Sequence, residues 1–252
     1  MCYYLGIEVK KETFIHLKDL QVQVKDHDLI RPFMSGFEYD TWPIIIPAAD
    51  GKELVLTLAH WELIPGWINS QEELAASRKK FNTLNATAER LLESRVYQAA
   101  AIKRRCLILA SGFYEWRHFT PTGTKKPIAY PYYIRVTHQP YFFVAGIWQN
   151  WTDKSTGETM PCFSLVTTTA NSIMSAIHNT KKRMPTILPE EQAYQWIQPN
   201  ISKEEITRLA AFSIPSTQLS ATTIRKDFRT SSNPTEPFEF EELPPISSSM
   251  NP

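Results

Sequence analysis

The chain has 252 residues, 42% of them hydrophobic and 12% aromatic, enough to bury the core of one folded domain and to exclude a disordered or fibrous protein. Its 27 Lys and Arg stand against 26 Asp and Glu, and a formal net charge of +1 excludes the strongly basic class that binds nucleic acid by charge alone. Three widely separated cysteines, Cys2, Cys106 and Cys162, exclude a disulfide framework and a CxxC zinc site and point to a reducing compartment.

The first residues carry too short an apolar run for a signal peptide, and no run of roughly eighteen apolar residues occurs, so the expectation is a soluble cytoplasmic protein with no membrane partner. The charge is unevenly spread. From Thr230 onward there are four Glu (Glu236, Glu239, Glu241, Glu242) and no Lys or Arg, so the rest of the chain carries +1 − (−4) = +5. The basic triplets 78–80, 103–105 and 181–183 supply much of that excess, which permits a nucleic-acid partner without requiring one.

In chain order the first residue of interest is Cys2. Initiator methionine is commonly trimmed before a small residue, and Cys2 would then carry two nucleophiles: an α-amine with a pKa of roughly 7.7 to 8.0 and a thiol of roughly 8.5. An amine and a thiol two carbons apart trap an aldehyde together, first as an imine and then as a five-membered thiazolidine. A small buried cysteine is the alternative.

Residues 3–30 alternate loosely and predict one strand and an irregular segment. Residues 42–47 read as a short buried strand between prolines, 48–51 as a turn, and 54–59 as a second strand running into Trp61 and Trp67, two rings that serve either the core or a base-stacking platform. Asn85 or Thr87 is placed to cap a helix continuing through Leu91, Leu92, Val96 and Tyr97. Residues 106–110 are β-like, Ser111-Gly112 interrupts them, and Glu115 follows among Phe113, Tyr114 and Trp116. That carboxylate is either paired, with Arg117 as candidate, or a desolvated acid with a raised pKa.

Runs at 132–136, 141–148 and 162–168 predict further strands, with Pro140 and Gly157 in antiparallel connections. Asn171 is placed to cap a helix through Ile173, Met174 and Ile177, which leaves His178 at its C-terminus, where the helix dipole favours the protonated imidazole. Pro189 opens another helix, and Ser202 to Glu205 form a capping box before one more. Residues 231–252 read as a Pro/Ser/Glu-rich tail after a domain spanning 1–230, although Phe238 and Phe240 alternate as a docked strand would.

Met1-Cys2, LNATAE at 84–89, CLILASGFYEW at 106–116 and AIHNTKKRMPTIL at 176–188 together resemble the SRAP family of abasic-site processing proteins, supported by WELIPGW at 61–67 and AGIWQNW at 145–151. The resemblance covers roughly residues 1–190. It implies an α+β domain, a curved antiparallel sheet or open barrel with peripheral helices. It also implies an SOS-response enzyme that crosslinks abasic single-stranded DNA through Cys2 after Met1 is removed, with autopeptidase and lyase-type steps, acting as a monomer without cofactor or metal and associating with the nucleoid when on DNA. Asn85, Glu115 and His178 map to its catalytic asparagine, glutamate and histidine.

The pattern also departs from the family. Tyr3 and Tyr4 stand where many members have Gly and Arg, and Thr87 replaces a second Arg. The expected DNA contacts are therefore Trp61, Trp67, Thr87, Lys181, Lys182 and Arg183, with the last three taking the phosphates. Two rival readings are an N-terminal-nucleophile cysteine amidohydrolase, disfavoured by the missing glycine after Cys2, and a noncovalent single-strand binder.

Overall fold

The structure is a computed structural model describing residues 2–10, 20–48, 51 and 53–246. Met1 therefore lies outside the described residues, as do Ala49 and Asp50 of the turn and residues 247–252 of the tail. In chain order the first part holds β1 (Tyr4–Glu8), β2 (Leu20–Val22), β3 (Ile30–Ser35), β4 (Thr41–Pro47), β5 (Leu54–Trp61), α1 (Gln71–Arg78), β6 (Asn85–Thr87), α2 (Gln98–Lys103), β7 (Arg105–Ala110) and β8 (Gly112–Phe119). The second holds β9 (Ile128–Val136), β10 (Phe142–Thr152), β11 (Thr159–Thr169), α3 (Ser172–Ile177), β12 (Arg183–Pro185), β13 (Ile187–Leu188), α4 (Glu190–Ile197), α5 (Lys203–Ala210) and β14 (Leu219–Thr223).

The longest apolar runs become the strands that are covered on both faces. Every residue of β7 is buried, and it lies between β4 (Ile45↔Leu107) and β10 (Ala145↔Leu107). Antiparallel pairings carry the sheet from β5 through β4, β7 and β10 to β11. A parallel pairing of β11 with β5 (Phe163↔Trp61) then closes five strands into a barrel. The expected α+β class with peripheral helices is what forms, and the ring is closed rather than open. Closure satisfies backbone groups that a free edge would leave unpaired.

A second sheet of five antiparallel strands, in the order β14-β9-β8-β1-β3, stands against the barrel and is continuous with it at Ser111, whose N–H donates to the Gly6 carbonyl. Gly112 opens β8 because a Cβ there would come within 2.3 Å of the Tyr133 ring. The Gly157 turn joins β10 and β11 as a hairpin, with Gly157 at φ +79°. Pro140 does not close one, since β9 belongs to the second sheet and β10 to the barrel.

Capping residues fix several helix ends. Asn171 Oδ1 accepts from Met174 N–H at 3.0 Å, and Ser202 Oγ accepts from Glu205 N–H at 3.2 Å. Buried Arg105 ties α2 and α4 to the barrel, its guanidinium donating to the carbonyls of Ala101, Ile102, Trp196 and Gln198. Trp196 in turn donates to the carbonyls of Cys106 and Gly146 at 3.1 Å each.

The helix expected over 85–97 is absent. Residues 85–87 form a strand parallel to β11 (Leu165↔Asn85), and a 3-10 turn, Ala88–Arg90, follows with no side-chain cap from Thr87. Apolar positions 91, 92, 96 and 97 pack against the core from irregular backbone instead.

The segment after Thr230 is docked over its described length. Phe238 N–H donates to the Thr223 carbonyl at 2.8 Å, Phe240 meets Tyr130 edge-on at 4.9 Å, Tyr130 Oη donates to Glu242 at 2.9 Å, and Arg117 donates to the Pro244 carbonyl at 2.6 Å. With β9, β14 and α3 it borders a cavity of about 970 Å³.

Candidate active site

Four elements remote in sequence carry the four catalytic candidates. Cys2 leads into β1, Asn85 begins β6, Glu115 lies in β8, and His178 caps α3, its N–H donating to the Met174 carbonyl. All four are buried.

Glu115 is 5% exposed, and loss of water pushes its carboxyl up to about 8. It is not paired with Arg117, whose guanidinium is directed to Pro244. The choice left open by the residues alone is thus resolved in favour of a neutral acid at pH 7. His178 Nδ1 lies 2.9 Å from the Arg183 carbonyl, which only accepts, so the proton sits on Nδ1 and the Nε2 lone pair has no partner among the described residues. The same nitrogen is 3.6 Å from Glu115 Oε1. Burial lowers His178 to about 4, against the rise expected from its helix-end position, because desolvation outweighs the dipole of a single short helix. The Glu115–His178 contact is therefore one between neutral groups at pH 7, not an ion pair.

The Cys2 thiol is pushed well above its usual range, first by burial and then by the nearby Glu115 charge, while a 3.7 Å hydrogen bond from Sγ to the Tyr4 carbonyl holds it. It rests as a thiol and needs a base to react. Asn85 is fixed through its backbone: its carbonyl accepts from Tyr97 Oη at 3.1 Å, and β6 is pinned to β11. Its side chain is unspent. Asn85 Oδ1 and Nδ2 and Glu115 Oε1 are buried with no hydrogen-bond partner among the described residues, the arrangement expected where a bound polar ligand supplies the missing partners.

The expected DNA contacts divide sharply. Trp61 is fully buried, stacked on Phe163 at 6.0 Å, and donates from Nε1 to the Leu84 carbonyl, so no face of its ring is open to a base and the expected paired platform does not form; Trp67 is 55% exposed. Arg183 forks onto Glu89 at 2.6 and 2.9 Å and also donates to the Thr167 carbonyl, leaving Lys181 and Lys182 as the exposed cations of the triplet. Thr87 is half-buried beside Thr167. Two residues at the site had no functional signal in the sequence. Tyr97 reads there only as the apolar face of a helix. Tyr3, whose hydroxyl is raised by burial, lies within the electrostatic reach of Cys2 and Glu115.

Comparison with known proteins gives the family. The profile of the family described as SOS response associated peptidase (SRAP) matches residues 1–230. The abasic site processing protein HMCES of Xenopus tropicalis is 29% identical over 194 residues, covering 68% of this chain and 55% of that protein. The abasic site processing protein YoqW of Bacillus subtilis is 31% identical over 150 residues, 60% of each chain. This chain thus spans little more than half the length of those relatives. A crystal structure of a protein from Bacteroides thetaiotaomicron superposes with a TM-score of 0.80 at 32% identity, over 94% of this chain and 97% of that one.

Proposed function

The chain belongs to the SRAP family, and from that premise we propose that it captures abasic sites in single-stranded DNA as a covalent thiazolidine on Cys2, shielding the lesion. The observation that carries the reading is a buried thiol within electrostatic reach of a buried neutral carboxyl, together with buried Asn85 amide atoms that lack partners among the described residues. Such a site suits a substrate that arrives uncharged and polar, as the ring-opened aldehyde of an abasic sugar does.

The chemistry requires a Cys2 amine freed of Met1. Protonated Glu115 gives its proton to the sugar ring oxygen as the ring opens, and takes up the proton that the C1′ hydroxyl loses on becoming the aldehyde. The amine adds to C1′, and water leaves to give the imine. The thiol then adds across the C=N bond, sulfur to C1′, while the Glu115 carboxyl gives its proton to nitrogen and takes the one from sulfur. Aldehyde and aminothiol thus become thiazolidine plus one water, with the acid restored. Asn85 holds the sugar hydroxyls in attack geometry, the proximity part of the rate. His178 Nε2 accepts from a sugar hydroxyl and assists reversal. Removal of Met1 and lyase-type strand release belong to the same reading.

The test is a denaturing gel and intact mass after incubation with an abasic single-stranded oligonucleotide. A shifted band that survives denaturant, lacks Met1 and disappears in Cys2→Ala is expected. No covalent band from a Met1-free protein would end the proposal. A band that persists in Cys2→Ser would place the bond on the amine alone.

A further inference from the structure

Strand alternation puts Tyr114 and Trp116 on the face of β8 opposite Glu115. There they join Tyr4, Phe33 and Phe228 in an aromatic cluster separate from the main core, in which Tyr114 and Phe228 are buried while Tyr4, Phe33 and Trp116 remain partly open. The Arg229 guanidinium lies over this cluster, 5.1 Å from the Tyr4 ring centroid, 5.6 Å from Trp116 and 5.8 Å from both Phe33 and Phe228. Tyr4 meets Trp116 edge-on at 4.8 Å with 65° between the planes, so it braces the Trp116 ring rather than extending its face.

Two features set this cation apart. Arg229 is exposed, and among the described residues its N–H groups have no hydrogen-bond or carboxylate partner, unlike Arg225 on Asp227 or Arg208 on Glu205. Cation–π contacts hold the guanidinium over the rings while its donors are left to water, a placement suited to forked contact with a phosphate. The platform also lies beside the candidate site. Pairing of β1 with β8 ends at Leu5↔Phe113, so Tyr4, Glu115 and Trp116 stand where the two strands part, and Cys2 hydrogen-bonds the Tyr4 carbonyl.

We propose that Arg229 is a DNA-binding residue, receiving a backbone phosphate of the single strand next to the nucleotide held at Cys2 while an adjoining base stacks on Trp116. The inference rests on the capture reading above for its partner. Charge and flatness choose nucleic acid over an acidic peptide: a carboxylate satisfies the guanidinium alone, whereas a nucleotide satisfies the guanidinium and the exposed ring faces together.

The test uses an undamaged fluorescent single strand, which offers no aldehyde, so that binding is read apart from crosslinking. Anisotropy titrations across a potassium chloride series are run for the wild type, Arg229→Ala, Arg229→Lys and Trp116→Leu. Arg229→Ala is expected to lower the slope of log K against log salt by about 0.7, the loss of one phosphate contact. Arg229→Lys keeps that slope, and Trp116→Leu keeps it while weakening binding roughly tenfold, in line with the ~1–3 kcal/mol that one stacked base contributes. Thermal melts of Arg229→Ala unchanged from wild type confirm that the fold is intact. An unchanged slope in Arg229→Ala, or polyglutamate displacing the strand as well as a competitor oligonucleotide does, would overturn the proposal. An abasic-strand gel separates the two readings: a wild type that binds the undamaged strand through Arg229 yet forms no covalent band refutes the Cys2 chemistry and leaves the platform standing.

Discussion

Replacing Glu115 by Gln isolates what the site costs the fold. In the unfolded chain this carboxyl releases its proton near 4.5, whereas in the folded protein it holds on to about 8. Between those values the folded state binds more protons than the unfolded one, so stability falls as pH rises. The loss begins near pH 4.5 and is complete above pH 8. At 1.36 kcal/mol per pH unit the separation amounts to about 5 kcal/mol once Glu115 is ionised and about 3 kcal/mol at pH 7. Gln keeps the shape and cannot ionise, so Glu115→Gln becomes the more stable protein as pH rises. In chemical-denaturant titrations the gap is expected to be near zero at pH 4.5, about 3 kcal/mol at pH 7 and about 5 kcal/mol at pH 9. The corresponding rise in melting temperature at pH 7 is roughly 6–12 °C for a domain of this size. A fixed cost of burying the amide would offset all three differences equally and leave their growth intact. Covalent capture should meanwhile fall by roughly 10²–10⁴, the range for a lost proton donor. Stability curves of the two proteins that run parallel from pH 4.5 to 9 would show that Glu115 ionises normally in the folded state and would remove the acid from the mechanism.

His178 works in the opposite pH range: its folded value near 4 lies below the ordinary 6.5, so the stability it confers is present above pH 6.5 and is lost as pH falls toward 4. Denaturant titrations of His178→Gln should show a flatter acid limb over that window. Trp61→Ala should cost roughly 3–5 kcal/mol as a core truncation, read by denaturant titration. Trp67→Ala should change stability by no more than about 0.5 kcal/mol and weaken single-strand binding by roughly 1–3 kcal/mol, the worth of one stacked base. Arg105→Ala should lower stability by roughly 3 kcal/mol or more, because several buried carbonyls lose their donor together; Arg105→Lys recovers only part, having no fork with which to reach α2 and α4 at once.

What the sequence made legible follows physical locality. The apolar runs of β4 and β7 and the caps at Asn171 and Ser202 depend on neighbours within a few positions, and they formed as read, except that Glu205 turns to Arg208 instead of completing the expected capping box. Asn85-Ala86-Thr87 carried equally good capping residues, yet pairing with β11, some eighty positions away, decided their conformation. Trp61 and Trp67 are the same residue type in one short motif, and only the barrel closing at Phe163 separates core from surface. The direction in which His178 titrates turned on depth, which no helix-end rule contains. Glu115 was recognisable from its aromatic neighbours and from the family motif, whereas Arg229 meets Tyr4 across almost the whole chain and leaves no local trace.

The docked segment after Thr230 separates two ideas of where this protein stops. Kinship, as measured by the family profile, runs out at residue 230, but Tyr130 and Arg117 are completed by Glu242, Phe240 and Pro244. A chain trimmed to the shared portion would wet the Tyr130 ring, orphan the Arg117 guanidinium and strip the cover from Thr223, on β8, which carries Glu115, and on β9 and β14 beyond it in the same sheet. The border of the family profile thus falls inside the packed structure, and the residues beyond it serve as a wall of the house rather than a porch.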